Sequence, residues 1–283
     1  MNGIDVIVAP FHAGVRLSRV GKGPQRLLDD GMAEALARSS TGVQVVEIDP
    51  VDDFEGEIGR SFEVMRRVAT TVAATVRSGR FPLVLAGNCN ASVGTYAGLG
   101  DAGAGLVWFD AHPDFNTPDE ATGGYFDGMG VAMLAGQCWH RLVATVPGFR
   151  PLDLSGLVYC GVRDFEPGQR EKIERHGIRT IFGATGPAPD FAGALQAGLA
   201  GLPRRVLVHL DLDCLDPSVG QANEYAAPSG LSADDLVACM VRIARQAQPV
   251  GLTIASFNPD LPGSDAIAAA GIRAVQAMIE AID

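Results

Sequence analysis

The chain has 283 residues, of which 47% are hydrophobic and 19% are charged. This balance indicates a globular protein with enough apolar residues for a large core, and it excludes an intrinsically disordered chain. The formal net charge is −11 at pH 7, which disfavours binding to phosphate backbones and to anionic membrane surfaces.

Short apolar runs alternate with stretches of helical periodicity along the chain. The predicted strands are 4–9, 43–48, 81–86, 105–109, 157–161, 179–182, 206–210 and 250–255, and the predicted helices are 24–36, 62–79, 91–97, 129–136, 168–176, 191–199, 232–246 and 264–282. This alternation predicts an α/β protein with three α/β/α layers and a mostly parallel, about eight-stranded central sheet. Residues 1–283 are expected to form one domain.

The cysteine pattern and the apolar runs bear on the cellular compartment. The five cysteines, at positions 89, 138, 160, 214 and 239, include no CxxC pair, so neither a zinc knuckle nor a disulfide framework is indicated. The first residues lack the basic region and apolar run of a signal peptide, and no apolar stretch is long enough to span a membrane. We therefore expect a cytoplasmic protein.

Acidic residues follow the apolar run at 105–109. This run is typical of a buried strand, and Asp110, His112 and Asp114 come directly after it. In an extended segment, residues i, i+2 and i+4 point to the same face, so these side chains are expected to converge at the carboxyl end of a strand, where open α/β sheets bind ligands. Carboxylates with one imidazole suit Mn²⁺ or Zn²⁺.

A second strand ends in the same way. The apolar run at 206–210 is followed by Asp211 and Asp213, which again share a face if the chain stays extended. Each segment alone is also compatible with an acidic turn in which aspartate accepts hydrogen bonds from backbone N–H groups. Two such segments, each closing a strand, favour a metal centre.

The two acidic segments resemble motifs of a known family. The sequence DAHPDFN at 110–116 resembles the Asp-Ala-His-x-Asp motif of the arginase/agmatinase (ureohydrolase) family, and DLDCLDP at 211–217 resembles its Asp-x-Asp-x-x-Asp-Pro motif. The resemblance implies a three-layer α/β/α domain that hydrolyses guanidino compounds with two Mn²⁺ ions. It also implies a set of metal ligands, namely Asp110, His112, Asp114, Asp211 and Asp213.

The sixth ligand of the family pattern departs from it. Where the family usually has a Gly-Asp-His-Ser-like segment, this chain has NCNA at 88–91, and Asn90 is expected to take the place of the histidine. An amide oxygen is a weaker ligand than an imidazole, so one Mn²⁺ should bind tightly and a second less tightly. Cys89 is interpreted as a packing residue, with ligand contact as the alternative, and His209 as a hydrogen-bonded structural histidine.

Further departures concern the substrate and the proton donor. Asp127 stands where the family has a proton-shuttling histidine, and Ser256 stands where it has the glutamate that binds the guanidinium group. Asp213 and Asp127 are therefore the candidate catalytic groups, although Asp127 is also compatible with an ordinary loop position. Asn116 and Glu166 match the residues that contact the α-carboxylate and the α-ammonium group, although Glu166 is also compatible with a solvated loop carboxylate.

These departures predict an amino-acid substrate with an altered guanidino end. They are similar to those of a branch of the family that cleaves Nω-hydroxy-L-arginine to hydroxyurea and L-ornithine in D-cycloserine biosynthesis. One alternative is an ordinary ureohydrolase acting on arginine or another guanidino compound, and another is a non-enzymatic binding protein with this fold. The expected partner is thus a small guanidino amino acid, with no nucleic acid and no membrane; the sequence leaves homo-oligomer formation open.

Overall fold

Eight parallel strands form one sheet that helices cover on both faces. The computed structural model describes residues 2–40, 42–52, 54–101, 103–121, 123–183 and 189–282. The strands are β1 (Ile4–Ala9), β2 (Phe11–His12), β3 (Val15–Arg16), β4 (Val43–Glu47), β5 (Phe81–Ala86), β6 (Gly105–Phe109), β7 (Leu157–Val162), β8 (Arg179–Phe182), β9 (Arg205–Asp211) and β10 (Gln248–Ala255). The helices are α1 (Gly23–Asp29), α2 (Met32–Ser39), α3 (Gly56–Arg77), α4 (Ala91–Gly98), α5 (Gly130–Leu134), α6 (His140–Val143), α7 (Gln169–Arg175), α8 (Phe191–Leu199), α9 (Ala233–Gln246) and α10 (Ser264–Ile282).

The order of the strands confirms the predicted fold. The sheet runs β4-β1-β5-β10-β9-β6-β7-β8, and every neighbouring pair is parallel. β5 and β6 are apolar throughout because both of their faces are covered, and all of their residues are buried. Parallel pairing brings the carboxyl ends of β5, β6, β9 and β10 to one edge of the sheet.

Two hydrophobic clusters, one on each face of the sheet, make up the core. One contains Phe62 of α3, Val93 of α4 and Trp108 of β6. The other joins α1, α2, α8, α9 and α10 to the sheet through residues such as Leu36 of α2 and Met240 of α9. Within the described residues, no helix is both long and apolar enough to cross a membrane.

Two of the differences between the structure and the predicted elements lie near the start of the chain. The helix predicted at 24–36 is divided into α1 and α2 by Gly31, whose φ of +94° is a left-handed value that suits glycine and ends a helix. Residues 10–23, for which neither a strand nor a helix was predicted, contain the short antiparallel pair β2–β3 and a 3₁₀ turn. Both differences are local and leave the sheet unchanged.

Candidate metal centre

A cavity of about 460 Å³ opens at the carboxyl edge of the sheet. Its walls come from the segments that follow five strands, with Cys89 after β5, His112 after β6, Asp164 after β7, Asp213 after β9 and Ser256 after β10. Its volume lies within the range of small-molecule sites. The elements therefore place the acidic segments in a concave site of suitable size for an amino acid.

Two groups of potential metal ligands meet at the floor of this cavity. One group is Asp110, His112 and Asp213, and the other is Cys89, Asp110, His209 and Asp211. Within each group, one ligand atom of every residue lies within 4.8 Å of the others. Asp110 belongs to both groups, as a carboxylate that bridges two metal ions would. Asp114 lines the cavity but belongs to neither group.

The carboxylates converge by a mechanism that differs from the predicted one. The strand β6 ends at Phe109, and Asp114 has a φ of +46°, so residues 110–114 do not alternate as in an extended strand. Instead, the Asp110 carboxylate accepts a hydrogen bond from the His112 N–H at 2.7 Å, and the Asp211 carboxylate accepts one from the Asp213 N–H at 2.7 Å. Each motif is therefore an aspartate-closed turn, and the turn brings the ligands together.

The electrostatics of the site favour a bound cation. Burial, together with the charge of Asp213, raises the pKa of Asp110 to about 7 and the pKa of Asp211 well above its usual value. Burial alone would lower the pKa of His112, but the charges of Asp213 and Asp110, at 3.2 and 3.3 Å, raise it well above its usual value. Clustered buried carboxylates destabilise the fold unless positive charge lies beside them. Carboxylate oxygens together with imidazole and thiol groups are ligands of divalent metal ions, so such ions fit the site.

The structure corrects the sixth predicted ligand. Asn90 does not line this cavity; it borders a separate small void between β5 and α3. Cys89 faces the cavity, and its Sγ donates to Asp211 Oδ2 at 2.9 Å. Asn90 precedes α4 with helical dihedral angles, and successive side chains in a helical turn point about 100° apart. The side chains of Cys89 and Asn90 therefore diverge, and the thiol is the one beside the carboxylates.

Asp127 anchors the segment that carries Cys89. Its carboxylate is buried and accepts three hydrogen bonds, from Asn88 Nδ2 at 2.6 Å, Cys89 N–H at 3.1 Å and Asn90 N–H at 2.9 Å. Burial raises the pKa of Asp127 to about 6 despite these donors. The side chain also lines the cavity, so a structural role and a catalytic role are both compatible with its position.

Asp127→Asn should lower the free energy of unfolding by about 2 kcal/mol, because an amide oxygen cannot replace a carboxylate that accepts three hydrogen bonds. Urea unfolding at pH 7.5 measures the change. The control is Asp119→Asn at an exposed position nearby, for which no change is expected. Wild-type stability in the Asp127 variant would contradict the anchoring role.

The predicted substrate residues Asn116, Glu166 and Ser256 all line the cavity. Asn116 is buried, whereas Glu166 is exposed. The structure adds Asn223, whose Nδ2 donates to Asp213 Oδ2 at 2.8 Å and to Ser256 Oγ at 3.2 Å. Asn223 lies in an irregular loop between the second acidic motif and α9, and no spacing rule identified it.

Three side chains, two of them buried, hold the cavity loops in place. The Arg163 guanidinium donates to the carbonyls of Asp213, Leu215 and Ala227, which ties together two segments near the second motif. The Tyr159 hydroxyl donates to the Pro113 carbonyl at 2.7 Å, and Lys172 Nζ donates to the Phe115 carbonyl at 2.7 Å. The first motif is therefore fixed from the neighbouring strand β7 and from α7.

Comparison with known proteins agrees with this geometry. The model of the Arginase family matches residues 2–280. The chain belongs to the arginase family. It is 30% identical to an arginase of Eremothecium gossypii, over 92% of this chain and 70% of the relative, and 30% identical to an arginase of Bacillus caldovelox, over 77% of this chain and 78% of the relative. The solved arginase structure from Bacillus caldovelox superposes with a TM-score of 0.89 at 24% identity, covering 99% of this chain and 98% of that one.

Membership of the arginase family indicates the class of reaction that this chain catalyses. Its members are ureohydrolases, metal-dependent hydrolases that cleave amidino C–N bonds of arginine-like guanidino compounds, and they depend on two metal ions. The two donor groups that share Asp110 fit this requirement. Cys89 and Ser256 of this arginase-family chain both line the cavity.

Proposed function

We propose that this chain, as one domain spanning residues 1–283, is a Mn²⁺-dependent hydrolase that cleaves Nω-hydroxy-L-arginine to hydroxyurea and L-ornithine, a step of D-cycloserine biosynthesis. The observation that carries the proposal is the neutral pair of Ser256 and Asn223 at the cavity wall, where Asn223 Nδ2 donates to Ser256 Oγ at 3.2 Å. A hydroxyl and an amide cannot pair with a guanidinium cation as a carboxylate does, but they can form hydrogen bonds with a neutral hydroxyguanidine.

The charge balance of the site supports the same substrate class. Four buried aspartates line or floor the cavity, namely Asp110, Asp114, Asp211 and Asp213. Their four negative charges would balance two divalent cations. Of the other carboxylates of the cavity, Asp164 lies 3.6 Å from His112 Nε2 and Glu166 is exposed. The further carboxylate of Asp127 is occupied by three N–H donors. The N-hydroxyl group withdraws electrons and lowers the basicity of the guanidine, so the hydroxylated substrate can bind in its neutral form.

The residues of the chain divide the remaining tasks between them. Mn²⁺, when bound, supplies a water of lowered pKa that can attack the guanidino carbon. Asn116 and Glu166 are proposed to hold the α-carboxylate and the α-ammonium group. Asp213 lines the cavity and is proposed to orient the attacking water, while Asn223, which donates to its Oδ2 at 2.8 Å, holds the carboxylate in place.

The leaving ornithine amine needs a proton, and Asp127 is proposed to carry it. Its pKa of about 6 lies closer to neutrality than that of an ordinary aspartate, which suits proton transfer. Its Oδ1 accepts a single hydrogen bond, from the Asn90 N–H, and therefore has room for a proton. Water adds to the guanidino carbon and gives up one proton, which Asp127 would accept and pass to the ornithine nitrogen. The bond between that nitrogen and the carbon then breaks, and hydroxyurea leaves as the second product.

Incubation of the Mn²⁺-loaded protein with Nω-hydroxy-L-arginine and, separately, with L-arginine tests the proposal, with ornithine, urea and hydroxyurea measured. We expect ornithine and hydroxyurea from the hydroxylated substrate, and kcat/KM at least about tenfold lower for arginine, the effect of about 1.4 kcal/mol of binding energy. Faster release from arginine would favour the second candidate, an ordinary arginase, which the 30% identity to named arginases supports. Release from neither substrate would overturn both assignments.

A further inference from the structure

His209 is a buried histidine that the proposed mechanism does not use. It lies on β9, two residues before Asp211, and its side chain is fully buried. Its Nδ1 lies 2.7 Å from Ser92 Oγ, whereas its Nε2 has no hydrogen-bond partner and is the one buried side-chain polar atom of the described residues in this condition. An unpaired buried polar atom costs free energy and calls for an explanation.

The position of the His209 ring next to the candidate metal centre explains the unpaired nitrogen. A ligand atom of His209 lies within 4.8 Å of Cys89 Sγ and of carboxylate oxygens of Asp110 and Asp211. Metal–ligand bonds of about 2.0–2.3 Å leave two ligand atoms at most about 4.6 Å apart across one ion. The four groups are therefore nearly close enough to surround a single ion without rearrangement.

The imidazole is also held as a metal-binding histidine usually is. When Nδ1–H donates to Ser92 Oγ, the lone pair of the ring remains on Nε2, and such a second-shell partner typically fixes the tautomer of a ligating histidine. The Trp108 ring stacks on His209 with centroids 3.6 Å apart and planes 22° apart. These two contacts leave the ring one orientation and one free nitrogen.

We propose that His209 is the imidazole ligand of the second metal ion, the ion bound by Asp110 and Asp211 on the side of Cys89. Each of the two ions then has one imidazole, His112 from the segment after β6 and His209 from β9. This inference rests on the proposal that the chain binds two Mn²⁺ ions. It assigns a ligand from β9 to the second ion, in place of the Asn90 amide expected from the sequence.

The test counts metal ions in the full-length protein. The chain is stripped with a chelator, reloaded with Mn²⁺, desalted and analysed by inductively coupled plasma mass spectrometry, with affinities from calorimetry. We expect two Mn²⁺ ions per chain for the wild type and one for His209→Ala, with the affinity for the lost ion reduced at least about 100-fold, the upper end of what second-shell changes cause. The matched control is His140→Ala at an exposed position, which should retain two ions.

A second variant guards against failure of the alanine variant to fold. Ser92→Ala keeps the ring but removes its Nδ1 partner, and we expect it to bind one of the two ions about tenfold more weakly. Two ions bound with wild-type affinity by both the His209 and the Ser92 variants would overturn the assignment of His209.

The same measurement separates this assignment from the proposed function. Fewer than two ions in the wild type would contradict the two-metal proposal. If the wild type binds one ion and His209→Ala binds none, the assignment of His209 as a ligand is supported. If His209→Ala keeps that ion with unchanged affinity, the assignment of His209 is overturned together with the two-metal proposal.

Discussion

Asp110→Asn is expected to abolish binding of both Mn²⁺ ions and to lower kcat/KM at least about 1,000-fold, the effect of losing roughly 4 kcal/mol of transition-state stabilisation. Asp110 is the residue shared by the two donor groups, so its loss affects both ions. The neutral amide keeps the size of the side chain and one acceptor oxygen for the His112 N–H. Metal content and ornithine release in the purified variant measure the two effects.

The fold of the Asp110 variant should survive. Burial raises the pKa of Asp110 to about 7, so a charged Asp110 destabilises the metal-free protein. The substitution by asparagine removes this charge, and the gain offsets the loss of the carboxylate oxygen that accepts a hydrogen bond from Trp108 Nε1. The melting temperature without metal should therefore change little, while the rise that Mn²⁺ causes in the wild type should disappear.

The matched control is Asp5→Asn, a second buried aspartate far from the site. Asp5 pairs with Arg80 at 2.5 Å and accepts from Thr75 at 2.7 Å. Its loss should cost about 2 kcal/mol of stability and leave metal content unchanged. Two Mn²⁺ ions retained by the Asp110 variant would contradict the expectation that both ions depend on Asp110.

Ser256→Glu should raise kcat/KM for L-arginine about 10–100-fold and lower it for Nω-hydroxy-L-arginine. A carboxylate at this cavity position can pair with the guanidinium group, and a charge-assisted hydrogen bond contributes about 1.5–3 kcal/mol. Ser256 already has a φ of +64°, so the change of one non-glycine residue to another adds little backbone strain. Steady-state kinetics with both substrates measure the change in preference.

Ser256→Gln separates the charge from the size of the new side chain. Glutamine has nearly the same shape as glutamate but no negative charge, so it should leave arginine a poor substrate. Equal gains from glutamine and glutamate would mean that space, rather than charge, limits arginine hydrolysis. No gain from glutamate would mean that Ser256 does not contact the guanidino end, which would remove the main support for the hydroxylated substrate.

The sequence by itself determined the fold class and the chemistry of the acidic segments. Apolar runs and helical stripes report whether a residue is buried, and this is a local property, so the eight strands and most helices were predicted close to their observed bounds. The order of the strands was not predicted, because the position of β10 between β5 and β9 depends on pairing between segments far apart in the chain.

Only the tertiary structure decided which side chains share the cavity. Cys89 and Asn90 are adjacent in the sequence, and the helical turn at the start of α4 sends the thiol, not the amide, to the carboxylates. His209 and Asn223 carry no motif; they are brought to the site by strand pairing and by a loop held through Arg163. Residue type and spacing determine what chemistry a segment offers, whereas backbone dihedral angles at turns and contacts between distant strands determine which of those groups meet.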